Sequence, residues 1–286
     1  MKKRPFGFLH ETMIPVIGQG TWEMPTSGSA VKSASEAMRK AVTDLGMAHI
    51  DTAEMYGSGR SEELIADAIQ GLPRQDLFIV SKVRPQNSTY AGTLKACDAS
   101  LKRLRTDYLD CYLLHWRGSV PLADTMRALE KLVDDGKIRS LGVSNFDVDD
   151  LEEALSVLQK HKIACNQVLY NLHKRGIERD LVPFCAKHSI AIVGYTPFAR
   201  KSIPSEGTAA GATLASIAKK HQVTERQVIL SFLVRLDNSF AIPKAARFEH
   251  LSENAGAGAV HLDAEDIAGL DAAFPAPQKR VPLATL

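Results

Sequence analysis

Residues 77–115 read LFIVSKVRPQNSTYAGTLKACDASLKRLRTDYLDCYLLH. A β-branched and aromatic run, Leu77-Phe78-Ile79-Val80-Ser81-Lys82, leads to apolar residues at helical spacing over 90–104. A second apolar run follows at 108–115. Two strand-length runs joined through a helix make a parallel βαβ unit, since a parallel neighbour needs a crossover of a dozen or more residues. The same alternation fills the chain in both directions. It predicts strands at 16–20, 48–51, 77–82, 108–115, 138–143, 164–169, 191–194 and 240–242. It predicts helices at 30–45, 61–70, 90–104, 122–135, 149–158, 178–188, 212–220 with 225–236, and 264–273. Glu62 and Glu63 place carboxylates in a first turn, where the helix dipole favours them. Asp147, Asp149 and Asp150 form an N-cap cluster before Leu151, Gly136 is a C-terminal stop, and Thr224 with Glu225 starts another helix. Strict alternation through eight such units predicts a single (β/α)8 TIM barrel, one domain over residues 1–286. Residues 6–8 and 12–14 around a short turn predict an N-terminal β-hairpin capping the barrel bottom. Residues 200–211 read as a loop.

Composition narrows the possible functions. Of 286 residues, 45% are hydrophobic and 24% charged, which suits a globular chain and excludes disordered, collagen-like, coiled-coil and membrane-bundle classes. Lys plus Arg is 35 against 33 for Asp plus Glu, a net charge of +2. That balance argues against a nucleic-acid or anionic-membrane partner. The basic start, Lys2-Lys3-Arg4, has no apolar stretch behind it before Glu11, so no signal peptide is expected. Cys97, Cys111, Cys165 and Cys185 are irregularly spaced without CxxC, and read as reduced, buried thiols in a cytoplasmic protein. The nine histidines form neither HxxxH nor HExxH, so no metal is predicted.

In a barrel of this kind, functional side chains sit at the C-terminal ends of the strands. Three consecutive strands end in polar groups: His49-Ile50-Asp51, the run ending in Lys82, and the run ending in His115. Strand alternation puts Phe78, Val80 and Lys82 on one face, and Leu109, Cys111, Leu113 and His115 on one face. Neighbouring strands lie ~5 Å apart, so Asp51, Lys82 and His115 can converge at the axis. Tyr56 lies on the loop after Asp51 and can fold over the same mouth. Taken singly, each has an ordinary structural reading: a solvated lysine, a cap, a packing tyrosine, a core histidine. Together they suit proton donation to a carbonyl that becomes an alkoxide. A phenol of pKa ~10 is a weak acid near neutrality, but a neighbouring ammonium favours the phenolate and an imidazole can orient the proton. Asp51 would compensate the buried charge of Lys82.

Several further stretches, with these residues, resemble the aldo-keto reductase superfamily over nearly the whole chain. Gly18-Gln19-Gly20-Thr21-Trp22 is similar to its G-x-G-T-W, and His49 to Gly57 contains its D-T-A-x-x-Y-G. Gly136 to Phe146 resembles G-K-I-R-x-x-G-V-S-N-F, and Asn166-Gln167 and Ile242-Pro243-Lys244 complete the set. The chain looks closest to short bacterial members of the methylglyoxal reductase type. The resemblance implies NADPH-dependent reduction of aldehydes and ketones to alcohols by a monomer acting on a small-molecule carbonyl. It assigns Tyr56 as general acid, Lys82 as the group lowering its pKa, Asp51 as the partner of Lys82, and His115 as the group orienting the carbonyl. Gly20, Thr21, Trp22 and Asp51 would line the cofactor site. Ser144, Asn145 and Gln167 would bond the carboxamide, and Tyr195 would stack on the nicotinamide. Backbone from Thr196 through Pro197 and Phe198 to Ala199 would approach the pyrophosphate. Lys244 would meet the 2′-phosphate, with Ala245, Arg247 and His250 also in the cofactor site, while Glu253 and Asn254 would hold adenine. Trp22, Tyr56, His115 and Trp116 would contact substrate.

Two positions depart from the family pattern. Ala245 stands where a serine is frequent, and His250 stands where an arginine is frequent, with Arg247 able to compensate. NADPH preference is therefore expected to be weaker, with NADH use open. Two other readings remain: a cofactor-binding redox sensor with little turnover, and a Schiff-base aldolase using Lys82. Only residues 116–121 separate the fourth strand from the next helix, so a shallow, open pocket with modest discrimination is expected.

Overall fold

The computed structural model describes the backbone of residues 1–286 and every side chain but that of Lys201. Strands β1 (Lys3–Phe6) and β2 (Leu9–Pro15) form an antiparallel pair. Eight parallel strands follow: β3 (Gln19–Gly20), β4 (His49–Asp51), β5 (Phe78–Val83), β6 (Cys111–Leu114), β7 (Leu141–Ser144), β8 (Ile163–Leu169), β9 (Ala191–Tyr195) and β10 (Ser239–Ala241). They lie side by side in chain order. The Gly18 N–H donates to the Ala241 carbonyl (2.8 Å), and the Ala241 N–H to that of Val16 (2.9 Å), so the first strand meets the last and the barrel closes. Gly20 sits at this seam; a Cβ there would come within 2.4 Å of the Ile242 carbonyl oxygen.

The helices are α1 (Ser29–Leu45), α2 (Arg60–Ile69), α3 (Tyr90–Leu104), α4 (Leu122–Asp134), α5 (Val148–Val157), α6 (Leu181–Lys187), α7 (Ala209–His221), α8 (Glu225–Leu233), α9 (Phe248–Gly256) and α10 (Ala264–Ala273). The capping signals act where the sequence placed them. Asp147 and Asp150 form a capping box on α5, Thr224 and Gln227 form one on α8, and Gly136 at φ 71° follows α4. The eighth unit differs from expectation. Residues 264–273 do form a helix, α10, but it packs on α7 outside the ring. The ring is completed by α9, which packs against α1 and was not expected. Its sequence, FEHLSENAG, is rich in weak helix formers. It forms because Leu251 and Asn254 are buried beneath it.

Two apolar layers result. Phe78, Val80, Cys111, Leu113, Cys165 and Val193 fill the barrel interior. Ile50, Ile79, Tyr112, Leu114 and Ile192 pack between sheet and helices. Leu109 belongs to this outer layer and not to the inner face expected for it. The strand begins only at Cys111, because Asp110 turns aside to accept hydrogen bonds from the Ile79 N–H (2.9 Å) and Arg74 (2.6 Å).

The hairpin does cap the barrel bottom, but its turn falls at Gly7-Phe8 rather than after residue 8. Gly7 has φ 58°, and an added Cβ would lie 2.2 Å from the Ala164 carbonyl oxygen, so glycine is required there. Phe6 then meets the rings of Phe78 (4.7 Å) and Phe240 (5.3 Å). His49 is fully buried among these three rings, and burial pushes its pKa down to about 4. An unfolded histidine binds its proton near 6.5, so between ~6.5 and about 4 the unfolded chain binds more protons. Stability contributed by neutral His49 is therefore complete above pH ~6.5 and lost as pH falls, by about 3 kcal/mol in total. Urea midpoints measured from pH 7 to pH 4 should fall less steeply in His49→Leu than in the wild type; equal slopes would refute this.

Residues 275–286 carry no regular structure. The Gln278 carbonyl accepts from Arg179 (2.6 Å), and Arg280 pairs with Asp147 (3.4 Å) and Asp149 (3.2 Å) at the start of α5. This tail brings Leu286 to the C-terminal mouth of the barrel.

Candidate active site

Asp51 ends β4, Lys82 lies one residue before the end of β5, and His115 follows β6. All three meet at the C-terminal mouth. Lys82 is fully buried; its Nζ donates to Asp51 Oδ1 (2.6 Å) and the Thr52 carbonyl (2.7 Å), and lies 3.4 Å from the Tyr56 hydroxyl. Tyr56 reaches it through a tight turn in which Gly57, Ser58 and Gly59 all have positive φ. A Cβ on Gly59 would strike Arg103 at 2.6 Å. Arg103 is held by Glu62 (2.6 Å), which also accepts from Ser81 (2.6 Å), so a buried polar cluster behind the sheet supports the turn. Glu62, expected as a first-turn carboxylate, serves here as a buried anchor.

Burial opposes the charge on Lys82, but Asp51 and the Tyr56 oxygen outweigh it and hold its pKa above the usual value. Burial also raises Tyr56, with Lys82 pulling it down and Asp51 pushing it up. The net direction is upward, so the phenol is protonated at neutral pH. Burial, with the Lys82 charge nearby, drives His115 down to about 2, which makes it a neutral imidazole. Its ring packs edge-on against Tyr56 (5.6 Å) and Trp116 (4.8 Å).

A cleft of about 610 Å³ opens above this floor. Its near wall carries Ser144, Asn145, Gln167 and Tyr195, bonded into one network with the floor. Gln167 Nε2 donates to Asp51 Oδ2 (2.7 Å), and Asn145 Nδ2 donates to the His115 carbonyl (3.0 Å) and to Ser144 Oγ (3.1 Å). The Tyr195 hydroxyl donates to Asn145 Oδ1 (2.7 Å). Gly20, Thr21, Trp22, Asp51, Tyr56, His115 and Trp116 also line the cleft. Thr196, Pro197 and Phe198 continue it on one side; Lys244, Ala245, Arg247, His250, Glu253 and Asn254 close the far end. Of the expected binding residues, Ala199 alone lies off the cleft wall, and its N–H is already given to the Thr196 carbonyl (3.1 Å).

The far end fits an extended dinucleotide. Asn254 is buried and its Nδ2 has no hydrogen-bond partner, an open donor of the kind an adenine nitrogen satisfies. Arg247 contacts His250 and, like Lys244, is exposed to the cleft mouth, which suits a phosphate. Individual residues that the sequence reading missed include Glu23, Met55, Arg200 and Arg226. Met55 had a local signal: a large apolar side chain next to Tyr56, 41% exposed here. Arg226 comes from α8, and nothing in its neighbouring residues marks it.

A model of the Aldo/keto reductase family matches residues 16–274. The chain is 41% identical to methylglyoxal reductase YeaE of Escherichia coli (strain K12), over 99% of each chain. It is 36% identical to glyoxal reductase of Bacillus subtilis (strain 168), covering 91% of this chain and 88% of that one. An aldo-keto reductase from Klebsiella pneumoniae solved in complex with NADPH superimposes with a TM-score of 0.92 at 42% identity. It covers 100% of this chain and 99% of that one. A second structure from that organism, with NADP and acetate, also gives 0.92 and 42%, over 100% of each chain.

Proposed function

The chain belongs to the aldo/keto reductase family, and from that premise we propose that it reduces small aldehydes and ketones to alcohols with NADPH. It is an NADP-dependent oxidoreductase. The observation that carries the finer reading is the Tyr56 hydroxyl, 3.4 Å from the buried Lys82 Nζ at the floor of the cleft. When bound, NADPH would supply the hydride that the carbonyl carbon takes up. Tyr56 gives its proton to the developing alkoxide oxygen. Lys82 stabilises the phenolate left behind, and Asp51 keeps Lys82 charged and in place. His115 stays neutral and orients the carbonyl. Its Nδ1 is buried without a partner, so the ring proton belongs on Nε2, where it can be donated to substrate. Gln167, Asn145 and Ser144 would hold the carboxamide, Tyr195 would stack on the ring, Lys244 and Arg247 would take the 2′-phosphate, and Asn254 with Glu253 would hold adenine.

The substrate end is walled by Trp22, Met55, Trp116 and Leu286. The chain between β6 and α4 is only residues 115–121, which leaves the cleft open to varied carbonyls. The four thiols are all buried and unpaired, which suits a reducing compartment such as the cytoplasm. NADPH and NADH absorbance against methylglyoxal, aromatic aldehydes, aldoses and ketones tests the reading. Turnover of several classes with NADPH preferred is expected. If no carbonyl oxidises either cofactor, the reading fails.

A further inference from the structure

We propose that Arg226, on the outer-ring helix α8, is a cofactor-binding residue that holds the bridging diphosphate of the dinucleotide. The proposal rests on the reading of the cleft as a dinucleotide site and adds a phosphate ligand to it.

Arg226 lines the cleft although it belongs to a helix of the outer ring. The first turn of α8 explains how. Thr224 Oγ1 donates to Glu253 Oε1 (2.8 Å) and Gln227 Nε2 donates to the Glu253 carbonyl (3.0 Å), so positions 224 and 227 face α9. Residue 226 lies about 100° round the helix from residue 227, and its side chain is turned to Phe198. The guanidinium sits over the Phe198 ring, 4.7 Å from its centroid. Stacking on an aromatic face fixes the plane of the fork and leaves its N–H edges free to donate.

Its place along the cleft identifies the ligand. Tyr195 and Asn145 mark one end, and the unpartnered amide of Asn254 marks the other. Phe198 follows Tyr195 by three residues and carries Arg226 on its ring, while Gln227, next to Arg226, bonds the Glu253 carbonyl beside Asn254, so this pair links the two ends. A dinucleotide spanning these ends would bring its bridging phosphates to this stretch. Among the described residues, no carboxylate lies within 4.0 Å of the Arg226 guanidinium. The cation is thus stacked, half-buried and uncompensated, facing the stretch where a doubly charged anion would lie. A planar fork donating to phosphate oxygens is a strong, geometrically specific contact.

Trp22 and Trp116 line the cleft, so energy transfer from tryptophan to bound NADPH reports its Kd directly, and competition reports that of NADH. Wild type, Arg226→Gln and Arg226→Lys are compared, with thermal midpoints of the cofactor-free proteins matched to verify folding. Arg226→Gln should weaken NADPH and NADH by the same factor, about tenfold. Arg226→Lys should recover part of the loss, keeping charge without the fork. The loss should shrink as salt is raised. An unchanged NADPH Kd in Arg226→Gln would overturn the proposal and leave the guanidinium a solvated surface group. A loss for NADPH alone would overturn it too, by placing Arg226 on the 2′-phosphate. A wild type that binds both cofactors but reduces no carbonyl would sink the reductase reading and leave this comparison intact.

Discussion

Tyr56→Phe is expected to lower kcat by a factor of about 10² to 10⁴ and to leave NADPH affinity unchanged. The ring stays, so its edge contact with His115 and its position over Lys82 persist. Only the hydroxyl is lost, the one group poised to protonate the alkoxide. The same geometry sets a pH signature. Tyr56 titrates above its usual value and His115 at about 2, so neither changes charge between roughly pH 6 and pH 9. The kcat/KM of the wild type should be flat across that window as far as these two groups are concerned. A limb near pH 6.5 that disappears in a His115 variant would show that the histidine titrates, and would overturn its role as a neutral donor. Turnover by Tyr56→Phe within a few fold of wild type would remove the proton-donor assignment altogether.

The second large effect is expected at the buried ion pair. Lys82→Met removes the cation beneath Asp51, leaving a carboxylate with 2% side-chain exposure held only by Gln167. Breaking a buried pair on one side costs about 3–5 kcal/mol, because the remaining charge has no compensation. Activity should fall as well, since Lys82 is the one group pulling the Tyr56 pKa down. The two consequences separate in the double variant Asp51→Leu/Lys82→Met. Removing both charges should restore most of the stability in urea unfolding, while turnover stays low. If the double variant regains activity together with stability, the pair serves the fold and not the proton transfer.

Much of this was legible from the chain. The alternation around residues 77–115 gave the barrel because each βα unit encodes its own periods of two and 3.6 residues. Asp51, Lys82 and His115 were legible for a related reason: alternation fixes which strand residues point inward, and each ends an apolar run. What escaped detection lay where long-range packing decides. The α9 helix escaped because FEHLSENAG has poor intrinsic propensity and forms through burial of Leu251 and Asn254. The true start of β6 escaped because Asp110 leaves the strand for partners on Ile79 and Arg74. Arg226 escaped because it reaches the cleft from an outer helix. Local pattern can show that a residue is exposed, but not which cavity it is exposed to.

The bond from Gln167 to Asp51 joins positions 116 residues apart, from β8 to β4. A chain emerging from the ribosome has made Asp51, Tyr56, Lys82 and His115 long before Gln167 exists, and the seam between β3 and β10 must wait for Ala241. Competence for chemistry therefore arrives late in synthesis and all at once. In refolding, recovery of turnover would trail recovery of helical signal, making enzymatic rate a reporter of ring closure rather than of local structure.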